Sequence, residues 1–176
     1  MKKEIFIHFA FLFPLLVFVS LVKGWLNLTY WPFWLGGLVG TILPDVDHFI
    51  YIFLLRPYEL TSQRATAMLQ KRDVMATLRI LSETRYERTK IIFHTATFQA
   101  IFVVLAFLVI SSSGNIFGRG LVLAFLLHMI VDQLVDLRDM GNLNNWFKDF
   151  PLSLHGKEKV YLGVNIAILF IFSFIF

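Results

Sequence analysis

The sequence has no cysteine, which excludes disulfides, thiolate metal sites and cysteine nucleophiles. It leaves the redox compartment unmarked. Charge is scarce, with Asp, Glu, Lys and Arg making up 16% of the 176 residues. No Lys/Arg tract interleaves with aromatic residues, so a nucleic-acid partner is not expected. What fills the chain instead is hydrocarbon: 57% of residues are hydrophobic and 20 are phenylalanine. Mean hydropathy is +0.70. A soluble domain of this size holds about half apolar residues. The composition therefore predicts one integral membrane domain over residues 1–176.

A spanning helix needs about 20 apolar residues. Five apolar runs approach that length: 5–22, 30–55, 91–110, 121–137 and 160–176. The fold class expected is all-α, a membrane bundle of about five transmembrane helices. The first run lacks a small-residue cleavage site, since Lys23-Gly24-Trp25 follows it, and reads as a retained helix rather than a signal peptide. Pro44 interrupts the second run and disfavours helix at Leu43: a helical segment puts Asp45 and His48 at i and i+3, whereas an unwound, extended one puts Asp45 and Asp47 on the same side. Gly36 and Gly40 form a Gly-x-x-x-Gly, with Gly37 beside them, which predicts close helix packing. Trp25, Tyr30, Trp31, Trp34 and Trp146 suit aromatic belts at the membrane surfaces.

Residues 56–90 differ, holding Arg56, Arg64, Lys71, Arg72, Arg79, Arg85, Arg88 and Lys90. Ala65, Met68, Leu69, Met75, Leu78 and Leu81 recur at roughly helical spacing, with Thr61 or Ser62 as a start cap. This predicts a cytoplasmic amphipathic insertion of one or two helices between the second and third spans. A solvated connector is the alternative. Cytoplasmic loops carry the Lys/Arg excess. With the N-terminus inside, 14 of the 16 Lys/Arg are cytoplasmic, and only Lys23 and Arg119 lie outside. The expected topology is N-terminus in, C-terminus out.

On that topology the ionisable residues of the apolar runs gather near the inner leaflet. His8 lies in the first helix; Asp45, Asp47 and His48 in the inner half of the second; His94 at the start of the third; His128 and Asp132 in the inner half of the fourth. Such residues are costly in hydrocarbon, and carboxylates there need a cation or protons. His and Asp together suit zinc, manganese or iron. His128 and Asp132 are four apart and share a helix face, which Asp136 extends. Each residue also has a plainer reading: a buried hydrogen-bonded pair for His128 and Asp132, and a backbone or headgroup contact for His8 or His94. Asp136, Asp139 and His155 read as interfacial.

These motifs resemble the predicted membrane-bound metal-dependent hydrolases called YdjM-like. That pattern has a His in the first helix, Leu-Pro-Asp-x-Asp-His, His-Arg-Gly-x-Thr-His-Ser, and His-x-x-x-Asp on a later helix. His8, Leu43-Pro44-Asp45-Val46-Asp47-His48 and His128 to Asp132 match in order and type. The third motif matches at His94 and Thr95, while its first His falls at Thr89 and its Arg at Lys90. Glu87 substitutes for that His, or the site holds one metal fewer, or catalysis is lost; these are the alternatives the mismatch leaves.

The resemblance implies one or two zinc, manganese or iron ions held by Asp45, His48, His94, His128 and Asp132, with Asp47 and His8 as further or supporting ligands. It implies a metal-activated water attacking an ester or phosphoester, with Asp47 or Asp136 taking the proton. Arg56, Arg88 or Lys90 would hold the phosphate of a lipid or other amphiphile. A prokaryotic inner (cell) membrane is the location expected.

Other membrane hydrolases fit less well. Type 2 phosphatidic-acid phosphatases need Ser-Arg where Leu121-Val122 stands, and Pro-Ser-Gly-His is absent. His-Glu-x-x-His, the mark of zinc intramembrane proteases, is absent too. A proton or metal-ion carrier is the competing function class. It is disfavoured because the runs 11–19 and 100–110 offer few polar groups in the outer half. An inactive metal-stabilised scaffold is the third reading.

Overall fold

The computed structural model describes residues 2–84, 87–88, 91–112 and 114–175, with side chains from residue 5 onward. Every regular element among the described residues is helical. In chain order these are α1 (Lys2–Lys23), α2 (Trp31–Ile42), α3 (Val46–Ile50), α4 (Leu60–Gln70), α5 (Val74–Glu83), α6 (Ala96–Ser112), α7 (Ile116–Asp139), α8 (Asn144–Phe147) and α9 (Glu158–Ile175). A 3-10 turn at Leu28–Tyr30 leads into α2, another at Leu43–Asp45 joins α2 to α3, and a π-helical turn at Tyr51–Leu55 follows α3.

Four segments are long and apolar enough to cross a membrane: Ile5–Lys23, Leu28–Leu55, Ile116–Asp139 and Glu158–Ile175. The expected third span is shorter. Helix α6 has 17 residues, about 26 Å at 1.5 Å per residue, against a hydrocarbon core of about 30 Å. It starts at Ala96 rather than 91 for a local reason. The Thr95 hydroxyl accepts the Phe98 N–H at 3.2 Å and caps the helix there. Upstream, the N–H groups of Ile92 and Phe93 are turned to a carboxylate instead. Helix α7 starts earlier than expected, at Ile116, because Asn115 Oδ1 accepts the Gly118 N–H at 3.1 Å.

Pro44 does not unwind the second run into extended chain. It occupies the opening positions of a single 3-10 turn, where its missing N–H is not needed. The Val46 N–H closes that turn onto the carbonyls of Leu43 and Pro44. Asp45 and His48 therefore keep helical spacing.

Helix α7 is the axis of the bundle. Within its most apolar stretch 78% of residues are buried, against 22–33% in the other three long segments. Leu12, Leu16 and Val19 of α1, Phe33 of α2, and Leu169 and Phe172 of α9 close around Leu123, Leu126 and Ile130 of α7. The closest partner of α7 is α2, and glycine makes that approach possible. A Cβ on Gly36 would lie 2.1 Å from the Phe117 carbonyl oxygen, and one on Gly40 2.2 Å from that of Leu121. From the other side, a Cβ on Gly120 would lie 2.1 Å from the Phe33 carbonyl oxygen. The two backbones are in contact, as the Gly-x-x-x-Gly predicts.

A buried amide network ties α6 and α9 to α7. Gln133 Nε2 donates to Gln99 Oε1 at 2.6 Å, and Asn165 Nδ2 donates to the side-chain oxygens of both at 3.2 Å. The Tyr161 hydroxyl donates to the same Gln99 oxygen. Gln99→Leu removes the shared acceptor and takes it from Gln133 Nε2 and the Tyr161 hydroxyl, while Asn165 keeps Gln133. We expect a loss of about 1–2 kcal/mol in reversible unfolding in detergent.

Residues 56–90 contain two helices among the described residues, α4 and α5. Arg72, with φ of 60°, turns the chain between them. Asp73 Oδ1 then accepts the Ala76 N–H at 2.9 Å and caps α5. Neither Thr61 nor Ser62 caps α4, which follows Glu59 with no side-chain cap. Thr61 instead donates to Glu87, and both Thr61 and Ser62 are buried. Ala65 of α4 and Leu81 of α5 pack on Tyr51 and Ile52, seating the hairpin on the end of the second long segment.

Candidate metal centre

The bundle brings His8, Asp45, Asp47, His48, His94, His128 and Asp132 into one neighbourhood. Asp132 is its hub. Asp132 Oδ1 lies 3.2 Å from His8 Nε2; Oδ2 lies 2.8 Å from His94 Nε2 and 3.3 Å from His128 Nε2. The rings of His8 and His128 lie 4.1 Å apart, and those of His94 and His128 6.1 Å. His94, His128 and Asp132 are each no more than 2% exposed, and His8 is 8% exposed, so water does not neutralise this group.

One ligand atom each from His8, His128 and Asp132 lies within 4.8 Å of the others, and this group could hold a metal ion. The spacings support that. A tetrahedral ion with bonds of about 2.1 Å separates its ligands by about 3.4 Å. His8 Nε2 stands 3.2 Å from Asp132 Oδ1 and His128 Nε2 3.3 Å from Oδ2, so both oxygens of the one carboxylate face the histidine nitrogens at about that spacing.

The hydrogen bonds around the histidines supply a second argument. His128 Nδ1 lies 2.6 Å from the Thr41 carbonyl oxygen. A carbonyl only accepts, so Nδ1 carries the proton and the neutral ring turns the Nε2 lone pair toward the carboxylates. That Nε2 is buried and makes no hydrogen bond. Asp132 lies on one side of it, and Asp45 Oδ1 stands 3.7 Å away. A lone pair facing two carboxylates calls for a cation or a proton between them. Metal-ligating histidines almost always donate their other N–H to a carbonyl or carboxylate, as His128 does.

His94 is held the same way. Its Nδ1 lies 3.3 Å from Asp47 Oδ2. Asp47 is fully buried and also accepts the N–H groups of Ile92 at 3.1 Å and Phe93 at 2.6 Å. Asp47 is thus the anchor of the 91–95 loop and the orienting carboxylate of His94. Trp146 packs its ring edge-on to His94 at 5.7 Å.

The remaining expected residues divide. His48 stacks on His94 with ring centres 5.2 Å apart. Asp136 lies on the α7 face below Asp132, but its Oδ2 accepts the Trp146 indole N–H at 2.7 Å. Trp146 is 1% exposed, so it is a core residue and not part of an aromatic belt. His155 is exposed and contacts Asn144 at 2.9 Å, away from the centre. Arg56 pairs with Glu59 at 3.9 Å and does not line the cavity beside the centre. Thr89 and Lys90 lie outside the described residues.

Beside the cluster is a cavity of about 330 Å³. Its lining includes the ionisable His8, Asp45, His48, Arg88 and Asp132, with Thr41 and Ser82. The rest of its lining is apolar: Ile5 and Phe9 of α1, Ile42 and Phe49 of the second long segment, and Leu78 and Leu81 of α5. Arg88 is 2% exposed, and its guanidinium is engaged by the Leu81 and Thr84 carbonyls, the Thr84 hydroxyl and His48.

Two contributors had no side-chain signature in the sequence. Thr41 acts through its backbone carbonyl, which no residue-type pattern marks. Trp146 is the other; its link to the site runs through Asp136, ten residues before it. No family model, curated protein or solved structure matches this chain.

Proposed function

We propose that this chain is a membrane-bound metal-dependent hydrolase of the YdjM-like kind. It acts on an ester or phosphoester of a lipid or other amphiphile at the cytoplasmic leaflet. The observation that carries the reading is the His8–His128–Asp132 group beside a cavity that His8 and Asp132 line together with both ionisable and apolar side chains. In this reading α6 completes a five-span bundle, the N-terminus is cytoplasmic, and the α4–α5 hairpin lies on the cytoplasmic side. The chain then sits in a prokaryotic cell membrane.

His8, His128 and Asp132 hold one divalent cation, zinc, manganese or iron, with His94 as the next ligand. Bound there, the cation polarises the scissile group and lowers the pKa of water toward about 7. The chain does the rest. Thr41 and Asp47 fix the ring orientations of His128 and His94. Asp47 and Asp136 both have oxygens engaged in structural hydrogen bonds. Asp45 has 54% of its side chain exposed and lines the cavity. We assign Asp45 as the carboxylate that takes the proton from the attacking water. The apolar walls seat the hydrocarbon of the substrate with its polar group at the metal.

Carrier function has less support, because the interior away from the cluster is closed by Leu12, Leu16, Val19 and Leu123, none more than 1% exposed.

The test is metal content by mass spectrometry on protein purified in detergent, followed by a phosphoester and carboxylester panel. His128→Ala is expected to lose the metal. Asp45→Asn is expected to retain it and to lose turnover by at least about 100-fold, the low end for a general base. Parent protein that stays metal-free in metal-replete buffer would sink the proposal. Metal retained with no hydrolysis across the panel would move the reading to a metal-stabilised scaffold.

A further inference from the structure

The hydrogen bonds around the histidines do not all run the same way. His128 and His94 each face an acceptor at Nδ1, the Thr41 carbonyl and the Asp47 carboxylate. Donating to an acceptor makes an imidazole electron-rich and, at His128, leaves Nε2 as a lone pair, which suits a metal; His94 Nε2 instead stands 2.8 Å from Asp132 Oδ2. His48 is wired in reverse. Arg88 Nε donates to His48 Nδ1 at 3.4 Å. A guanidinium has donors only. His48 Nδ1 is therefore the acceptor, and the neutral ring carries its proton on Nε2. A cationic neighbour also draws electron density from the ring. This is the arrangement of a hydrogen-bond donor, not of a ligand. It departs from the role the sequence pattern implies for His48.

We propose that His48 is not a metal ligand. It is an oxyanion-binding donor in the cavity beside the cluster, set in that tautomer by Arg88. Three observations converge. His48 and Arg88 both line the cavity, and the ligand group of His8, His128 and Asp132 forms without His48. Arg88 is pinned by carbonyls of α5 and the residues after it, so its own reach is spent on holding His48. The group His48 can offer an occupant is an N–H, and the carboxylates Asp45 and Asp132 beside it would repel an anion lacking such a donor and a cation. The ligand class is a phosphate oxyanion on an amphiphile, since Ile5, Phe9, Ile42, Phe49, Leu78 and Leu81 line the same cavity. The substrate part of the inference rests on the hydrolase reading; the assignment of His48 does not.

The experiment uses full-length protein in detergent, with two readouts. The first is metal stoichiometry in His48→Ala, His48→Gln and His128→Ala. The second is calorimetric binding of lysophosphatidic acid, with inorganic phosphate as a separate arm. His48→Ala is expected to keep the parent's metal content and to bind lysophosphatidic acid about tenfold more weakly, the loss of one charge-assisted hydrogen bond. His48→Gln, whose amide N–H stands near the Nε2 position, is expected to recover most of that affinity. Tighter binding of lysophosphatidic acid than of inorganic phosphate places the hydrocarbon in the cavity; equal binding limits the site to free phosphate and overturns the amphiphile assignment. Metal loss in both His48 variants, matching His128→Ala, would overturn the donor role. So would unchanged lysophosphatidic acid binding in His48→Ala. A metal-free parent that still shows the His48-dependent binding would defeat the hydrolase reading and leave the donor assignment standing.

Discussion

Asp132→Asn is expected to reduce metal affinity by more than about 100-fold, the upper figure for losing a residue that only supports a ligand. Asp132 lies within 3.3 Å of all three histidines His8, His94 and His128. Asparagine keeps the size and removes the charge, so the helix is not challenged. Three buried imidazoles then lose the carboxylate they share. Asp47→Asn makes the graded comparison. Asp47 touches His94 but not His8 or His128 in the hydrogen bonds seen, and it holds the 91–95 loop through Ile92 and Phe93. Its loss is expected to cost about 10–100-fold in metal affinity. Isothermal titration of metal-stripped protein measures both. Equal effects from Asp132→Asn and Asp47→Asn would remove the reason for calling Asp132 the hub.

Gly40→Ala is expected to destabilise the bundle by about 3 kcal/mol or more, at or beyond the usual range for overpacking. The added Cβ would sit 2.2 Å from the Leu121 carbonyl oxygen, and backbone cannot swing aside as a side chain can. Gly36→Ala meets the Phe117 carbonyl oxygen at 2.1 Å and is expected to behave alike. Gly163→Ala is the control. A Cβ there meets nothing within 4 Å, and the position lies inside α9. Alanine should stabilise it by about 0.5–1 kcal/mol through helix propensity. The glycine contact also has a functional arm. Thr41 follows Gly40 directly, and its carbonyl orients His128 at 2.6 Å. Pushing α2 off α7 lengthens that bond, so Gly40→Ala should weaken metal binding as well as folding. Thermal melts in detergent, paired with metal titration of the protein that remains folded, read both effects.

The parts of the fold that sequence revealed were those set by solvent. Long apolar runs must be helices in hydrocarbon, since no water satisfies their backbone groups. That rule located the four long segments to within a few residues, α7 excepted at its start. It failed where single side chains decide a boundary, as Asn115 and Thr95 do for α7 and α6. The Gly36 and Gly40 spacing announced the α2–α7 contact because close approach needs that residue type at that interval.

The site was legible as a set of residues. His and Asp are conspicuous in apolar runs, and His128 and Asp132 share a face by spacing alone. Their division of labour was not legible. Asp47 reads in sequence as a further or supporting ligand or as the proton acceptor; the choice among these turned on its partners, His94 and backbone N–H groups 45 and 46 residues away. Asp136 reads as an extension of the metal face and instead accepts from Trp146. The amides Gln99, Gln133 and Asn165 went unread as a network, since neutral side chains carry no charge signal and no periodicity.

Anomalous diffraction at the absorption edge of the bound metal tests the central claim most directly. The account predicts one anomalous peak within bonding distance of His8 Nε2, His128 Nε2 and an Asp132 oxygen, absent from Asp132→Asn crystals grown alike. A peak elsewhere in the protein, or a metal-replete crystal with no peak at this cluster, would contradict it.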